Sequence, residues 1–188
     1  MPRVSNAEKL KSRRRILDAA SAQFREKGIE ATSLSDVMKA AGMTHGGFYR
    51  HFTDKDELVA AAFRNAVDDL ISEIEALPDR SVRDRARADY IATYLSQDHV
   101  DRRAAGCPLA ALGSELARVG GGTRTGTAEA VDRVATFLGA DGVPAGGYAL
   151  LSLLVGAVTL ARLADDPAQS QAILDAARAA AEKLTPAS

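Results

Sequence analysis

The sequence predicts an all-α fold. Apolar residues recur at intervals of three and four along most of the 188 residues, which is the period of an amphipathic helix. Capping residues, prolines and glycines stand at the ends of these periodic segments, where helices begin and end. No segment alternates polar and apolar residues for long, and no internal repeat is visible, so neither a sheet nor a repeat array is expected.

Start and stop signals place the helices in order. The first helix, about 7–27, carries Leu10, Leu17 and Phe24 on one apolar face and ends at Gly28. Further helices are predicted over about 33–41, 44–52, 54–77, 82–96, 107–119, 125–138, 146–164 and 167–184, with a short helical turn within 99–106. The expected N-caps are Ser33, Thr44, Asp54, Ser81, Cys107 and Asp166. A tail over 1–6 and loops at 120–123 and 139–144 are predicted outside the helices.

The segment 32–52 predicts a helix-turn-helix. Ser33 precedes Asp36 by three residues, a variant of the capping box with Asp in place of Glu. Gly42 suits the left-handed position that ends a helix, and Thr44 follows as the cap of the next one. Two short helices joined in this way place the second helix in the major groove of DNA.

The second helix of this motif has the side chains that a DNA-reading helix needs. Its two glycines lower helix propensity by about 1 kcal/mol each, a cost that close approach of the backbone to DNA would explain. His45 stands where recognition helices contact base edges, and Arg50 can bind guanine or neutralise a phosphate. Tyr49 can place its hydroxyl on a phosphate and its ring against a base. Phe48 and Phe52 are one turn apart and are expected to point inward.

The residues Ala41-Gly42-Met43-Thr44, Gly46, Tyr49, His51-Phe52, Lys55 and Leu58 form a recognisable pattern. This pattern resembles the N-terminal domain of the tetracycline-repressor (TetR) family of bacterial transcription regulators, over roughly residues 10–60. The resemblance implies base or backbone contacts from the positions at 44–49 and phosphate contacts from His51 and Lys55. A purely structural helical corner is the alternative. The predicted DNA-binding residues are Ser33, Ser35, Thr44, His45, Gly46, Gly47, Tyr49, Arg50, His51 and Lys55.

The charge distribution supports a nucleic-acid partner for one end of the chain. The first 53 residues hold ten Lys and Arg against five Asp and Glu, whereas the remainder holds fourteen against twenty. A basic head on an acidic body suggests that only the head approaches a polyanion. Arg13, Arg14 and Arg15 in the first helix fit a solvated face and phosphate contacts about equally well.

The family resemblance implies a division of labour along the chain. It implies an N-terminal three-helix DNA-binding domain at 1–53, followed by a larger helical ligand-binding and dimerisation domain at 54–188. The implied partners are a palindromic double-stranded operator, a small-molecule effector, and a second copy through the helices at about 146–164 and 167–184. The protein would most simply be a repressor released by its effector. The rival hypothesis is a helical small-molecule-binding or catalytic protein with a non-functional helix-turn-helix.

Candidate ligand residues lie in the body. Tyr90 and Tyr94 stand one helical turn apart, which fits ordinary core packing or the wall of a pocket. Cys107 precedes Pro108 and therefore occupies the N-cap position of a helix, where thiols ionise more readily. It is either a redox or electrophile sensor or a packed, inert residue. Leu112, in the helix that Cys107 opens, completes the predicted ligand or sensor set of Tyr90, Tyr94, Cys107 and Leu112.

Several classes of function are not indicated. The three histidines do not have the spacing of metal ligands, so we expect no bound metal and no cofactor. No nucleophile–base or paired-carboxylate signature stands out, so we do not expect an enzyme. A single cysteine and a polar N-terminus without a signal-peptide pattern predict a cytoplasmic protein. The longest uncharged apolar run, Tyr148–Ala161, is shorter than the roughly 20 residues of a membrane span, so no membrane partner is expected.

Overall fold

The computed structural model describes residues 6–139 and 144–185. Within these ranges the regular structure is helical and includes no strand, which confirms the predicted all-α class. The α-helices are α1 (Asn6–Lys27), α2 (Leu34–Ala40), α3 (Lys55–Glu75), α4 (Arg80–Tyr94), α5 (Gln97–Asp101), α6 (Pro108–Leu116), α7 (Gly121–Leu138), α8 (Pro144–Ala161) and α9 (Pro167–Leu184). Two 3₁₀ segments lie at His45–Arg50 and Arg103–Ala105. The tail predicted over 1–6 and the loop over 139–144 fall largely outside the described residues.

Helix α1 packs through its second half only. Ile16, Ala20 and Phe24 are almost fully buried, and Gly28 ends the helix with φ +89 while its N–H donates to the Phe24 carbonyl. The prediction that Leu10 lies on the buried face is wrong, because Leu10 is 69% exposed. All residues from 6 to 11 are exposed, so the first turns of α1 lie outside the apolar core.

Local capping signals set the start of α3 and of α9. The Asp54 carboxylate accepts from the Glu57 N–H at 2.8 Å, while the Glu57 carboxylate accepts from the Thr53 N–H at 2.7 Å. The capping box therefore closes one residue earlier than its usual form. Asp166 caps α9 by accepting from the Gln169 N–H at 2.9 Å, as its position before Pro167 predicts.

The predicted start of the helix after α3 is corrected by the structure. Helix α4 begins at Arg80 with Asp79 as its N-cap, so the prediction that Ser81 caps it is wrong. Asp84 in its first turns forms ion pairs with Arg80 and Arg87, at 3.8 and 3.0 Å.

The segment predicted as a loop at 120–123 belongs instead to α7. Gly120 is the N-cap of this helix, which begins at Gly121. Thr123 is buried, and its hydroxyl donates to the Asp56 carbonyl of α3 at 3.3 Å. This contact between helices distant in sequence stabilises helical structure that glycine propensity alone disfavours.

Helix α8 is the centre of the C-terminal part of the fold. It packs between α7 and α9, and the α7 contact is so close that a Cβ on Gly147 would fall 1.8 Å from the Ala135 carbonyl oxygen. By length and composition alone, its 18 residues are enough to cross a membrane, because Pro144 to Gly147 extend the apolar run that begins at Tyr148. Its inner side lies in the protein core through Gly147, Leu150, Leu151, Leu154, Ala157, Val158 and Ala161.

One continuous apolar core joins both ends of the chain. It runs from Ile16 and Phe24 of α1, through Phe63 and Ile71 of α3, to Leu174 of α9. Helix α3 packs against α1 on one side and against α7 on the other. At about 1.5 Å per residue its 21 residues span about 30 Å, so this helix contacts both the helix-turn-helix region and the C-terminal helices.

Candidate nucleic-acid interface and ligand cavity

The first helix of the predicted helix-turn-helix has the expected local geometry. The Ser33 hydroxyl accepts from the Asp36 N–H at 3.1 Å and donates to the Asp36 carboxylate at 2.7 Å, which lowers the pKa of that carboxyl. After Ala41, Gly42 adopts φ +67, a left-handed conformation that suits glycine. The chain then turns into the second helical segment.

That second segment is a 3₁₀ helix, His45–Arg50, and not the α-helix predicted over 44–52. Its turns close by i to i+3 hydrogen bonds, from the Gly47 N–H to the Thr44 carbonyl and from the His51 N–H to the Phe48 carbonyl. Thr44 has the extended backbone of an N-cap, but its side chain makes no capping bond. Two consecutive glycines with low α-helix propensity are consistent with the tighter winding.

Phenylalanines hold the 3₁₀ segment to the core as predicted. Phe48 and Phe52 are 0% and 2% exposed, and their rings stack at 5.7 Å. Tyr49, between them, is 66% exposed, and its ring meets those of His45 and Phe48 edge-on. The buried pair therefore presents Tyr49 outward.

The predicted DNA-binding residues lie on the surface of this region. Ser33, Ser35, Thr44, His45, Gly46, Tyr49 and Arg50 are exposed, while Gly47, His51 and Lys55 are half-buried. A Cβ on Gly46 would meet nothing within 4 Å, and one on Gly47 would make only ordinary contacts. Internal packing therefore does not require either glycine.

The surroundings of His51 show a basic patch on this surface. Arg13 and Arg50 of this patch are named in the sequence analysis, whereas Lys9 is not. Burial lowers the pKa of His51, and the nearby cations Lys9, Arg13 and Arg50 lower it further. Its Nδ1 atom is buried and has no hydrogen-bond partner. Lys9 comes from α1, so the basic patch is assembled from two elements that are far apart in the chain.

The three consecutive arginines of α1 make internal contacts. Arg13 donates to the His51 carbonyl and lies 4.1 Å from the centre of the Phe52 ring. Arg15 donates to the Ala41 carbonyl at the end of α2. The arginine between them pairs with acids of α1 and α3, Asp18 at 2.9 Å and Asp69 at 2.5 Å. These contacts fasten the helix-turn-helix to α1 and α3, a role that neither of the two sequence interpretations included.

Lys55 also has an internal partner. Its ammonium group donates to the Glu30 carbonyl at 3.4 Å, across the gap between α3 and the turn that follows α1. This contact helps to explain a cation in the first turn of a helix, where the dipole disfavours positive charge.

A cavity of about 560 Å³ lies on the other side of α1, between this helix, α3, α4 and the segment that leads into α6. It brings together three of the four predicted ligand residues, Tyr90, Tyr94 and Cys107. Leu112 does not line it, because this side chain is buried in the core. No described residue of α8 lines it either. The remaining lining residues are Asp18, Ser21, Arg25, Asn65, Ala66, Asp69, Leu70, Thr93, Asp98, His99, Arg102, Ala105, Gly106 and Pro108.

His99 organises the inner part of the cavity. Its Nδ1 lies 2.6 Å from the Tyr94 carbonyl, and its Nε2 accepts from the Cys107 N–H at 2.9 Å. These two bonds select the neutral tautomer with the proton on Nδ1. Burial, and then the nearby Arg162 just after α8, lower the pKa of His99, which fits a ring that stays uncharged.

The two tyrosines form an aromatic wall. The Tyr90 ring meets the rings of Tyr94 and Phe137 edge-on, at 5.7 and 5.6 Å. Burial raises the pKa of both tyrosines well above its ordinary value, and the neighbouring Cys107 contributes in the same direction. The Tyr94 hydroxyl is buried beside the Cys107 thiol and has no nitrogen or oxygen partner.

Cys107 occupies the predicted N-cap position of α6 and is half-buried. Arg102, five residues before it, is exposed and pairs with Asp98 at 3.2 Å. The cations that interact electrostatically with the Cys107 side chain are Arg25 of α1 and Arg162, which follows α8. Neither carries a local sequence signal, because each reaches the site only through tertiary packing.

No group of three or more metal-ligating side chains is present within residues 6–139 and 144–185. His45 and His51 both lie near the helix-turn-helix surface, whereas His99 lines the cavity.

In sequence comparisons, known regulators align with the N-terminal part of this chain. Residues 16–62 match the family described as bacterial regulatory proteins, tetR family. Over 81 residues the chain is 32% identical to the HTH-type transcriptional repressor KstR2 of Rhodococcus jostii, an alignment of 43% of this chain and 40% of KstR2. Over 58 residues it is 43% identical to the HTH-type transcriptional regulator AcrR of Shigella flexneri, covering 31% of this chain and 27% of AcrR. The matches thus span less than half of these curated relatives.

Comparison of structures extends the likeness along the chain. The crystal structure of the reduced form of Escherichia coli NemR superposes with a TM-score of 0.74 at 21% identity, covering 94% of this chain and all of NemR. The transcriptional regulator SCO7518 of Streptomyces coelicolor superposes with a TM-score of 0.63 at 26% identity, covering 94% and 99% of the two chains. The fold beyond residue 62 is therefore shared with these proteins as well.

Proposed function

Because this chain belongs to the tetR family of bacterial regulatory proteins, we propose that it is a DNA-binding transcriptional regulator that acts as a repressor. Its functional division is a DNA-binding domain at 1–53 and an effector-binding and dimerisation domain at 54–188. It works in the cytoplasm, without a cofactor and without catalytic activity. Its operator is palindromic double-stranded DNA, with one major groove contacted by each subunit.

The observation that carries this proposal is the surface of the 3₁₀ segment. Tyr49 is exposed on a base formed by the buried Phe48 and Phe52, and Gly46 faces open space. Neither the exposed ring nor the glycine improves the packing of the chain itself. A surface with these features beside a cluster of cations fits a DNA groove and its phosphates. The DNA-binding set is the one predicted from the sequence, joined by Lys9.

A second copy of the chain would cover the outer faces of α8 and α9. Leu160 near the end of α8 and Leu163 just after it are 56% and 74% exposed, and Tyr148 and Leu184 are also exposed. On α9, Ala172 and Ala176 are exposed, because the stripe packed against α8 is formed by other residues. A Cβ on Gly156 would meet nothing within 4 Å, so this position permits the close approach of another helix. These faces supply an apolar surface for a two-fold dimer.

The cavity is the proposed effector site, and α1 connects it to the DNA-binding surface. Arg25 of α1 donates to the Ala104 carbonyl at 2.7 Å, and Glu115 of α6 accepts from the Ile29 N–H at 2.8 Å. An effector that moves the 103–108 segment would shift α1 and the helix-turn-helix fastened to it. This route supplements transmission along α3, which the family resemblance implies.

Covalent modification of Cys107 in the same cavity is a second proposed signal for release of DNA. Addition of its thiol to an electrophilic quinone would place a bulky group between Tyr90, Tyr94 and α6. If Cys107 is a sensor, quinone-treated wild-type protein releases its operator and the Cys107→Ser variant does not. Retention of DNA by treated wild-type protein, or equal release by the serine variant, would assign Cys107 to packing alone.

A gel-shift assay with the DNA upstream of the gene tests the proposed function against the rival hypothesis of a ligand-binding or catalytic protein with a non-functional helix-turn-helix. We expect a specific complex with an inverted repeat, abolished by competitor of the same sequence and not by unrelated DNA. Protein that binds both DNAs equally, or neither, would favour the rival.

A further inference from the structure

Two polar groups of the cavity have incomplete hydrogen bonding. Tyr94 is 3% exposed, and its hydroxyl has no nitrogen or oxygen partner and only the Cys107 thiol, a weak hydrogen-bonding group, beside it. A buried hydroxyl without a strong partner destabilises the free protein, so this group is available to a ligand.

Arg25 is the second of these groups. Its Nε donates to the Ala104 carbonyl at 2.7 Å and one Nη donates to the Ser21 hydroxyl at 2.5 Å, so neither partner is a carboxylate. Its other Nη group has no acceptor among the described residues. Burial lowers the pKa of Arg25, which is the expected effect of enclosing a cation without an anionic partner.

Both groups lie around the same thiol, while the acids of the cavity are already paired. Cys107 acts electrostatically on Arg25 and on Tyr94, which places all three side chains in one part of the cavity. The cavity acids, by contrast, are on exposed residues. Asp18 and Asp69 pair with Arg14, and Asp98 pairs with Arg102. The inner part of the cavity therefore combines an uncompensated cation with an available hydroxyl donor.

We propose that the cavity binds a small aromatic carboxylate whose oxygens accept hydrogen bonds from Arg25 and Tyr94. The guanidinium and hydroxyl donors suit a planar oxyanion, and the Tyr90 ring and Leu70 provide apolar contacts for an aromatic body. A cavity of about 560 Å³ is in the size range of small-molecule sites. The inference rests on the effector-binding part of the proposed function and adds the chemical class of the effector.

The same contacts give the carboxylate a route to α1. A bound oxyanion competes with the Ala104 carbonyl for the Arg25 guanidinium. Arg25 lies three turns after Arg13 and Arg15 on α1, and these two residues hold the helix-turn-helix through the His51 and Ala41 carbonyls. A change in the hydrogen bonds of Arg25 would therefore shift the position of α1 and of the helix-turn-helix that α1 holds.

The test is calorimetric titration of the full chain with 2-naphthoate and with its neutral isostere 2-naphthamide. We expect 2-naphthoate to bind and the amide to bind at least about tenfold more weakly, because a charge-assisted contact is lost. Arg25→Gln and Tyr94→Phe should each weaken 2-naphthoate binding about tenfold or more. The matched control is Arg102→Gln, which removes an exposed arginine of the same cavity and should change affinity less than about twofold.

Thermal unfolding separates a ligand contact from a structural role. Tyr94→Phe removes an unsatisfied hydroxyl without changing the ring, so the melting temperature of the ligand-free variant should be unchanged or raised by about 2–4 °C. Weaker ligand binding together with unchanged or higher stability supports the inference. A lower melting temperature for Tyr94→Phe would show that the hydroxyl is structural and would overturn it.

The remaining outcomes are also decisive. No binding of 2-naphthoate at about 1 mM, equal binding of acid and amide, or unchanged binding by Arg25→Gln would overturn the inference. A gel shift on the same preparations distinguishes this failure from failure of the proposed function. Operator binding by protein that ignores 2-naphthoate rejects only the ligand class, whereas loss of operator binding by the wild type rejects the regulator itself.

Discussion

The nucleic-acid surface and the ligand cavity are built in opposite ways. On the surface, exposed side chains such as Tyr49 and Arg50 stand on a base that is fully packed through Phe48 and Phe52. In the cavity, polar side chains such as Tyr94 and Arg25 are enclosed by helices from three parts of the chain. Substitutions of exposed surface residues should therefore alter binding without altering stability, whereas replacement of an enclosed, hydrogen-bonded residue of the cavity such as His99 should also alter stability. The following predictions test that difference, beginning with the largest effect.

Ala176→Glu should abolish operator binding by preventing dimer formation. The new carboxylate would be placed on the outer face of α9, where Ala176 is exposed and the proposed partner helix would bury it without a cation. Light scattering should show a dimer for the wild type at micromolar concentration and a monomer for the variant.

The control for this change is Ala88→Glu, at an exposed position of α4 outside the proposed interface. It should leave both the dimer and DNA binding intact. A monomeric wild type, or a dimeric Ala176→Glu protein, would show that α9 is not the interface.

Neighbouring residues of the 3₁₀ segment should separate stability from binding. Phe48→Ala should lower the free energy of unfolding by about 3–5 kcal/mol, because a fully buried ring is removed and leaves a cavity. Tyr49→Ala should change it by less than about 0.5 kcal/mol, since Tyr49 is exposed, while weakening operator binding at least about tenfold. Chemical denaturation and gel shifts measure the two quantities. Unchanged DNA binding by Tyr49→Ala would contradict the proposed interface.

The basic patch should make operator affinity fall steeply with salt. Arg50→Ala should weaken binding by about 1–3 kcal/mol if it contacts a base, and reduce the salt slope by about one if it contacts a phosphate. Arg85→Ala removes an exposed arginine of α4 and should affect neither quantity. Fluorescence anisotropy at several salt concentrations provides the measurement. An affinity that is insensitive to salt would count against phosphate contacts.

The cavity should respond to pH through His99. Burial lowers the pKa of the folded-state ring, so folding favours neutral His99 and this contribution is fully present above the unfolded-state pKa of about 6.5. The contribution is lost as the pH falls through the lowered folded-state pKa, because protonation removes the acceptor for the Cys107 N–H. The wild-type melting temperature should therefore decline on acidification below about pH 6.5.

Replacement of His99 by Gln should make that decline shallower, because the replacement does not titrate. His45→Gln is the matched control, since His45 is exposed on the 3₁₀ segment and its loss should leave the acid-induced decline unchanged. An identical pH profile for wild type and His99→Gln would show that another group controls it.

Much of the DNA-binding region was predictable because its signals are local. Ser33, Gly42 and Asp54 act on residues within a few positions of themselves, and each has the conformation or capping bond that its type predicts. The inward direction of Phe48 and Phe52 also follows from helical spacing. What local signals did not predict was the 3₁₀ winding of the segment and the internal contacts of the α1 arginines, which depend on the position of α1 beside it.

The cavity was much less predictable because its parts are distant in the chain. The shared face of Tyr90 and Tyr94 follows from their spacing, but no local pattern relates them to Arg25, Asp69 or His99. Leu112 was assigned to the ligand set with Cys107 of the same helical segment, yet its side chain is buried in the core. Which face of α6 meets the cavity depends on where α1 and α8 pack.

The sequence alone determined the helical class, most helix ends, the helix-turn-helix and the residues it exposes. These properties depend on backbone conformation and on side chains within one or two turns, where residue identity and spacing decide the outcome. Tertiary structure alone decided that 120–123 extends a helix, that Gly147 lies against Ala135, and that Arg25 and Arg162 approach Cys107. These contacts depend on the packing of whole helices, whose relative positions are set by the summed burial of many apolar side chains rather than by any short stretch of sequence.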